Sequence, residues 1–292
     1  MNSKTDGTTP TVRTRLELLQ QVKAWKQAGD TVGFVPTMGA LHSGHLSLVE
    51  KAREKATRIV ASIFVNPTQF APGEDFDTYP RDESADLAKL ASVGCDLAYL
   101  PTVDEMYPEG TLTNVRVESM SDVLDGIYRP HFFYGVTTVV ARLFLHVQPD
   151  VAVFGEKDYQ QLQIIRRMVR DLAFPIDILG APTARDADGL AQSSRNLYLT
   201  PDERRNAGAL QAALHRAAMR LSVGVRPSIA LQEATQLLSR SGFGKVDYVS
   251  LVDKDTLQDL PDERLRDGMV ARLLGAAWMG RTRLIDNISV TR

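Results

Sequence analysis

The sequence predicts an α/β protein in which a Rossmann-like parallel-sheet domain (residues 1–183) precedes a smaller α+β domain (residues 184–292). Three observations carry this. Short apolar runs rich in β-branched residues alternate with stretches of helical period from Val32 to Leu179, the pattern of a parallel sheet covered on both faces by right-handed crossovers. The run Val32–Val35 is broken at Pro36 and Gly39, and beyond His42 the residues Leu48, Val49, Ala52 and Ala56 share one helical face, giving strand, glycine loop and helix. The alternation then ends at a polar stretch, Ala181–Asn196, after which two helical patterns precede three strand-like runs.

In chain order, Met1–Pro10 is polar, lacks the apolar core of a signal peptide and reads as a frayed tail. Leu16, Leu19, Val22 and Trp25 put a helix over Arg13–Ala28, ending near Gly29. Val32–Val35 is the first strand, and the helix after it has Ser43 as its expected N-cap. Ile59–Val65 is a second buried strand, stopped by Asn66-Pro67; Arg81–Ala91 reads as a helix and Leu97–Leu100 as a short strand. Thr102–Arg129 is broken by proline and glycine and shows no period. An apolar helix over Val136–Val147, a strand over Val151–Phe154, a helix over Tyr159–Leu172 and a strand over Ile176–Leu179 complete the first domain. In the second, helices are expected at Pro201–Leu221 and Pro227–Ser241, with antiparallel strands at Val246–Leu251, Met269–Leu274 and Leu284–Val290.

A chain of 292 residues can bury two sizeable cores. A net charge of −2 without a basic run gives no footing to nucleic acid or an anionic membrane as a partner. No apolar run reaches the roughly 18 residues of a membrane helix. The single cysteine, Cys95, excludes an intrachain disulfide and suits a reducing compartment, so a cytoplasmic location is expected.

Open parallel sheets bind ligands at the carboxyl ends of their strands. That rule selects Pro36–His45, Asn66–Phe70 and Gly155–Gln161, which are expected to line one cleft. His42 and His45 fall in a first helical turn, three residues apart, where free N–H groups and the helix dipole favour an anion, above all a phosphate. Gly44 lets a flat ligand approach the backbone. The same imidazoles suit a metal, but zinc wants further ligands and His131, His146, His215 and Cys95 are each isolated in sequence. Asn66 and Gln69 offer amides to a ligand bearing hydroxyls and a carboxylate, although turn chemistry accounts for Asn66-Pro67 equally well. Lys157, at a helix start, is either a mobile point charge for phosphate oxygens or a solvated lysine. Ser193, Ser194 and Arg195 can each donate to phosphate.

Longer strings narrow these choices. Pro-Thr-Met-Gly-Ala-Leu-His-Ser-Gly-His (36–45) contains the His-x-Gly-His signature of nucleotidylyl transferases and class I aminoacyl-tRNA synthetases, and as a whole it resembles the pantothenate synthetase (pantoate–β-alanine ligase) family. Phe64–Phe70, Phe154–Leu162 and Asp188–Asn196 resemble the same family, in order, so that the likeness runs from Val32 to Asn287. It implies ATP-dependent condensation of (R)-pantoate with β-alanine through a pantoyl adenylate, in a homodimer whose partners are small molecules. By resemblance, ATP falls to Met38, Gly39, Ala40, Leu41, His42, Ser43, Gly44, His45, Gly155, Glu156, Lys157, Asp158, Ala184, Gln192, Ser193, Ser194 and Arg195. Catalysis falls to His45, His42, Lys157, Ser193, Ser194 and Arg195, and pantoate and β-alanine to Gln69, Gln161, Asn66, Met38 and Arg129. Mg²⁺ falls to Asp86. Two positions depart from the family pattern: Gln192 stands where methionine is usual, and Phe132 occupies the usual histidine position, with His131 one place early. Rival readings are another His-x-Gly-His transferase, which would keep the nucleotide on its acceptor, and a non-catalytic nucleotide sensor, which would not need Lys157, Ser194 and Arg195 together.

Overall fold

A computed structural model describes residues 7–71, 73–74 and 76–292. The tail expected over Met1–Pro10 lies mostly outside these residues; of the part described, Thr9 is buried and donates its N–H to the Leu87 carbonyl. Strand β1 (Thr11–Val12) was not foreseen, because two residues carry no period. Helix α1 (Arg15–Gln27) starts where Thr14 and Glu17 form a capping box and buries Leu18 and Val22. There follow β2 (Val32–Thr37), α2 (Ser43–Arg53), β3 (Arg58–Ile63), α3 (Glu83–Ser92) and β4 (Leu97–Tyr99). The stretch without a period contains two four-residue helices, α4 (Val103–Met106) and α5 (Asp125–Tyr128).

Helix α6 (Phe132–Val147) begins earlier than the Val136 expected, since Gly135 does not interrupt it. That glycine is required by packing: a Cβ there would lie 2.6 Å from Gln69 Cα. Then come β5 (Val151–Gly155), α7 (Tyr159–Asp171) and β6 (Asp177–Ala181). The helix expected over Pro201–Leu221 is two, α8 (Pro201–Ala207) and α9 (Ala209–Ser222), broken at Gly208. The Asp188 carbonyl oxygen presses on that junction, 2.7 Å from where a Cβ would sit. Helix α10 (Pro227–Arg240) precedes β7 (Lys245–Asp253), β8 (Val270–Met279) and β9 (Thr282–Thr291). All three strands run past their expected stretches: polar Lys245, Asp253, Thr282, Arg283 and Thr291 lie at the ends of β7 and β9, and pairing with both neighbours carries β8 on through Gly275 to Met279.

Six parallel strands form one sheet in the order β1-β4-β3-β2-β5-β6. Chain order reverses across β2, which pairs with β3 on one side and β5 on the other, so the crevice favoured by ligands lies at its carboxyl end. β7-β8-β9 make a separate antiparallel sheet whose core is shared with residues of α9 and α10. The α/β class and the α+β character of the C-terminal part are therefore as expected. The chain divides into two compact units. The first comprises Met1–Ser121, Arg129–Glu156 and Ile164–Pro182, and the second Asp122–Tyr128, Lys157–Gln163 and Thr183–Arg292. Two short segments upstream of residue 183, Asp122–Tyr128 and Lys157–Gln163, thus join the second unit. No helix among the described residues is long and apolar enough to cross a membrane.

Inside the first unit, His146 Nδ1 lies 3.0 Å from the Tyr99 hydroxyl. Burial, assisted by the positive charges of Arg15 and Arg142, pushes the imidazole down to about 4. The unfolded chain therefore binds a proton that the folded chain refuses between pH 6.5 and 4, and stability falls as pH falls through this window. Urea midpoints should drop by the equivalent of up to about 3 kcal/mol across it and level off below. His146→Gln should remove this part of the slope; an unchanged pH profile in that variant would show that other groups cause it.

Candidate active site

The loop leaving β2 is held in a strained form. Thr37 Oγ1 donates to the Ser62 carbonyl at 2.7 Å and accepts from the Gly39 N–H at 3.2 Å. Gly39 (φ +85°) and Ala40 (φ +50°) are both left-handed, which for alanine costs about 1–2 kcal/mol. Leu41 is gripped at both ends of its backbone: its N–H donates to Asp86 Oδ1 at 2.8 Å, and its carbonyl accepts from Lys89 Nζ at 2.7 Å. Asp86 is 2 % exposed and its Oδ1 is 3.7 Å from Lys89 Nζ. These contacts keep the chain in the αL region just before the two histidines.

The N-cap of α2 is His42 (φ −128°, ψ 173°), not Ser43, which is already helical. The extended backbone needed at a cap falls one residue earlier than the hydroxyl suggested. His45, in the first turn, accepts the His42 N–H on Nδ1 at 3.4 Å, and the two rings lie 4.0 Å apart. With Nδ1 accepting, a neutral His45 carries its proton on Nε2. A cavity of about 300 Å³ opens at this edge of the sheet, bounded by Met38, Gly39, Asp86, Arg13, Arg81 and Thr102.

After β3, both ends of the Asn66 amide are engaged within the protein. Its Oδ1 accepts from Thr68 N–H and from the Tyr107 hydroxyl, the turn role, while Nδ2 donates to Gln69 Oε1 at 3.1 Å and to the Gly135 carbonyl at 3.1 Å. Gln69, 8 % exposed, donates to Met38 Sδ at 2.9 Å. Asn66 thus orients Gln69, and Gln69 reaches the end of β2. Arg129 is engaged by Glu74 through two bonds of 2.8 and 2.7 Å and lies 3.8 Å over the Phe132 ring. The phenylalanine standing at the family's histidine position therefore serves as a platform for Arg129, and exposed His131 caps α6.

Gly155 and Glu156 end a segment of the first unit, and the remaining candidates, Lys157, Asp158, Gln161, Ala184 and Gln192 to Arg195, belong to the second. Lys157 sits in a 3₁₀ turn, Glu156–Asp158, that runs into α7; its Nζ is 3.4 Å from Asp158 Oδ1. Gln160 is turned inward, accepting the Asp125 N–H at 3.0 Å and donating to the Val123 carbonyl at 2.7 Å, and Gln161 beside it is only half-buried. A small hairpin closes between Arg185 and Ala191, and Gln192 ties its base through its own N–H to the Ala184 carbonyl at 2.9 Å and through Nε2 to Asp186 at 3.1 Å. Gln192 thus works through backbone and side chain alike. Ser193 then caps a 3₁₀ turn, Ser194–Tyr198, accepting the Arg195 N–H.

Of the three stretches expected in one cleft, Pro36–His45 and Asn66–Phe70 lie in the first unit, at the ends of adjacent strands, whereas Gly155–Gln161 is divided, with Gly155 and Glu156 in the first unit and the rest in the second. Sequence reasoning missed Lys89, Gln160 and Gly135. Lys89 carried a faint signal, its i,i+3 spacing from Asp86. Nothing in the Gln160-Gln161 pair says which amide turns inward.

A parallel sheet whose switch-point strand leads into a helix with two imidazoles at its start, and amides at the next strand end, has the form of an α/β protein of the His-x-Gly-His class. The sequence model of the Pantoate-beta-alanine ligase family matches residues 10–289. The chain belongs to that family, and it is a pantoate–β-alanine ligase. It is 73% identical over 293 residues to the pantothenate synthetase of Hyphomonas neptunium, covering 100% of both chains. Among solved structures, pantothenate synthetase from Thermus thermophilus superposes with a TM-score of 0.90 at 47% identity, over 97% of this chain and 100% of that one. Pantoate-beta-alanine ligase from Francisella tularensis, complexed with beta-gamma ATP and beta-alanine, gives 0.80 at 33% identity, over 96% and 97% of the two chains.

Proposed function

We propose that this ligase joins (R)-pantoate to β-alanine in two steps, with ATP and Mg²⁺, in the cytoplasm and as a homodimer. In the first step a pantoate carboxylate oxygen attacks the α-phosphorus and the bond to the β-phosphate breaks, giving pantoyl adenylate and pyrophosphate. In the second the β-alanine amine attacks the acyl carbon, the acyl–phosphate bond breaks, and AMP leaves with pantothenate formed. Neither step needs a protein nucleophile; position and charge suffice. The observation that carries this reading is the pair of imidazoles, 4.0 Å apart at the start of α2, on a loop whose strained backbone Asp86 and Lys89 hold fixed. His42 and His45 bind the phosphates there, with His45 Nε2–H the proton donor toward the departing group. Lys157, Ser193, Ser194 and Arg195 add donors for the same charge.

Gln69 and Gln161 bind pantoate; Asn66 acts behind Gln69. Arg129, already paired to Glu74, shapes the pantoate region and is not a free cation. Magnesium arrives on the nucleotide. A site on Asp86 does not fit, because its carboxylate is buried, accepts the Leu41 N–H and faces Lys89.

The test is AMP release with pantoate and β-alanine each omitted in turn. AMP should form only when both are present; nucleotide left joined to an acceptor would replace the ligase by a transferase. In the same assay Gln69→Ala and Gln161→Ala should raise the KM for pantoate by about tenfold or more, the loss of one or two hydrogen bonds, and leave the KM for ATP within about twofold. Equal losses for both substrates would remove the amides from the pantoate site.

A further inference from the structure

Two consecutive residues of β9 reach the phosphate-handling segments of the second unit from opposite sides of a strand. Successive strand residues project to opposite faces. Asp286 shares the face of Leu284 and Val290, which pack in the core with α9. Its carboxylate accepts both branches of Arg185 at 2.6 and 2.8 Å, and Arg185 donates to the Gly189 carbonyl at 2.9 Å, within the hairpin that leads to Ser193. Asn287, 3 % exposed, lies on the other face. Its Nδ2 donates to the Lys157 carbonyl at 2.8 Å, and its Oδ1 accepts from Arg272 Nε at 2.7 Å. The Arg272 guanidinium lies 4.1 Å over the Tyr159 ring, and the Tyr159 hydroxyl donates to the Lys254 carbonyl at 2.9 Å.

A buried amide costs stability unless both of its ends are paired. Here one end is fixed by a stacked arginine, which leaves the other no choice of direction. That other end holds the peptide from which the Lys157 side chain springs, in a 3₁₀ turn too short to fix itself. We propose that Asn287, oriented by Arg272, is a positioning residue for Lys157: it fixes the backbone of the turn so that the ammonium is aimed before charge develops on the phosphate. Preorganisation of this kind removes the reorganisation that a mobile lysine would require. This inference rests on the reading of Lys157 as a phosphate ligand.

The experiment is a double-mutant cycle read as kcat in single-turnover pyrophosphate release, with KM values and thermal melts for each variant. Asn287→Ala is expected to lower kcat about tenfold with the KM for pantoate unchanged, and the same change made in Lys157→Ala should lower it by less than about twofold, since without the ammonium there is nothing left for the Asn287 bond to aim. Asn287→Asp keeps the shape and the acceptor for Arg272 but turns a carboxylate oxygen toward the Lys157 carbonyl, and should lose at least as much. If Asn287→Ala fails to fold, the same cycle with Asn287→Asp decides. An equal loss in both backgrounds, or full kcat in both Asn287 variants while Lys157→Ala is impaired, overturns the positioning role. Full kcat in Lys157→Ala overturns the prior reading of Lys157 instead, and with it any need to aim that side chain.

Discussion

Lys157→Ala is expected to lower kcat by about 10²–10³, the usual cost of removing one preorganised donor from a developing oxyanion. The melting temperature should hardly change: the ammonium's ion pair with Asp158 Oδ1, at 3.4 Å, joins sequence neighbours and is partly exposed. Charge on the transferring phosphate redistributes only as the carboxylate attacks, so the loss belongs in kcat more than in KM for ATP. Lys157→Arg should recover only part of the rate, because a planar fork cannot place its charge where an ammonium stood. Single-turnover pyrophosphate release at saturating ATP, beside a melt of each variant, separates the outcomes. Near-normal turnover in Lys157→Ala, or loss only through unfolding, would make Lys157 a structural lysine.

His45 should matter as much, and through one identifiable nitrogen. With Nδ1 accepting the His42 N–H, the proton available to a leaving group sits on Nε2. General acid catalysis by a positioned imidazole contributes about 10²–10⁴ in rate. His45→Asn can still accept the His42 N–H but has no donor at the Nε2 position, and should lose about that factor. His45→Gln can extend an amide N–H toward that position and should lose distinctly less. The comparison is read in kcat for adenylate formation; a reversed order, with Asn better than Gln, would mean that His45 serves chiefly as the acceptor that holds the His42 N–H at the start of α2.

The strand–loop–helix at Val32–Arg53 was legible because an apolar run, two glycines and a change of period are local signals. The parallel sheet followed from the same alternation, and its strand order placed the switch point at β2. What could not be read depends on contacts distant in sequence. Asp86 looks like one more first-turn acid until its bond to the Leu41 N–H, across 45 residues, shows that it fixes the glycine loop. Gly208 was invisible as a break because helical period continues on both sides of it and only the Asp188 carbonyl explains it. Asn287 lies in a strand that reads as ordinary alternation, and its bond to the Lys157 carbonyl spans 130 residues. Caps fail differently: His42 takes the extended backbone that Ser43 was expected to have, a matter of one residue that periodicity does not resolve.

The central claim is that the carboxylate of pantoate is activated before the amine takes part, with no protein nucleophile. Enzyme mixed with Mg-ATP and pantoate, and no β-alanine, tests it most directly by rapid-quench measurement of pyrophosphate. A burst of about one pyrophosphate per site, followed by a stall until β-alanine is added, is the result expected of an adenylate that waits in place. No pyrophosphate before β-alanine arrives would contradict the two-step account and require the amine in the first chemical event.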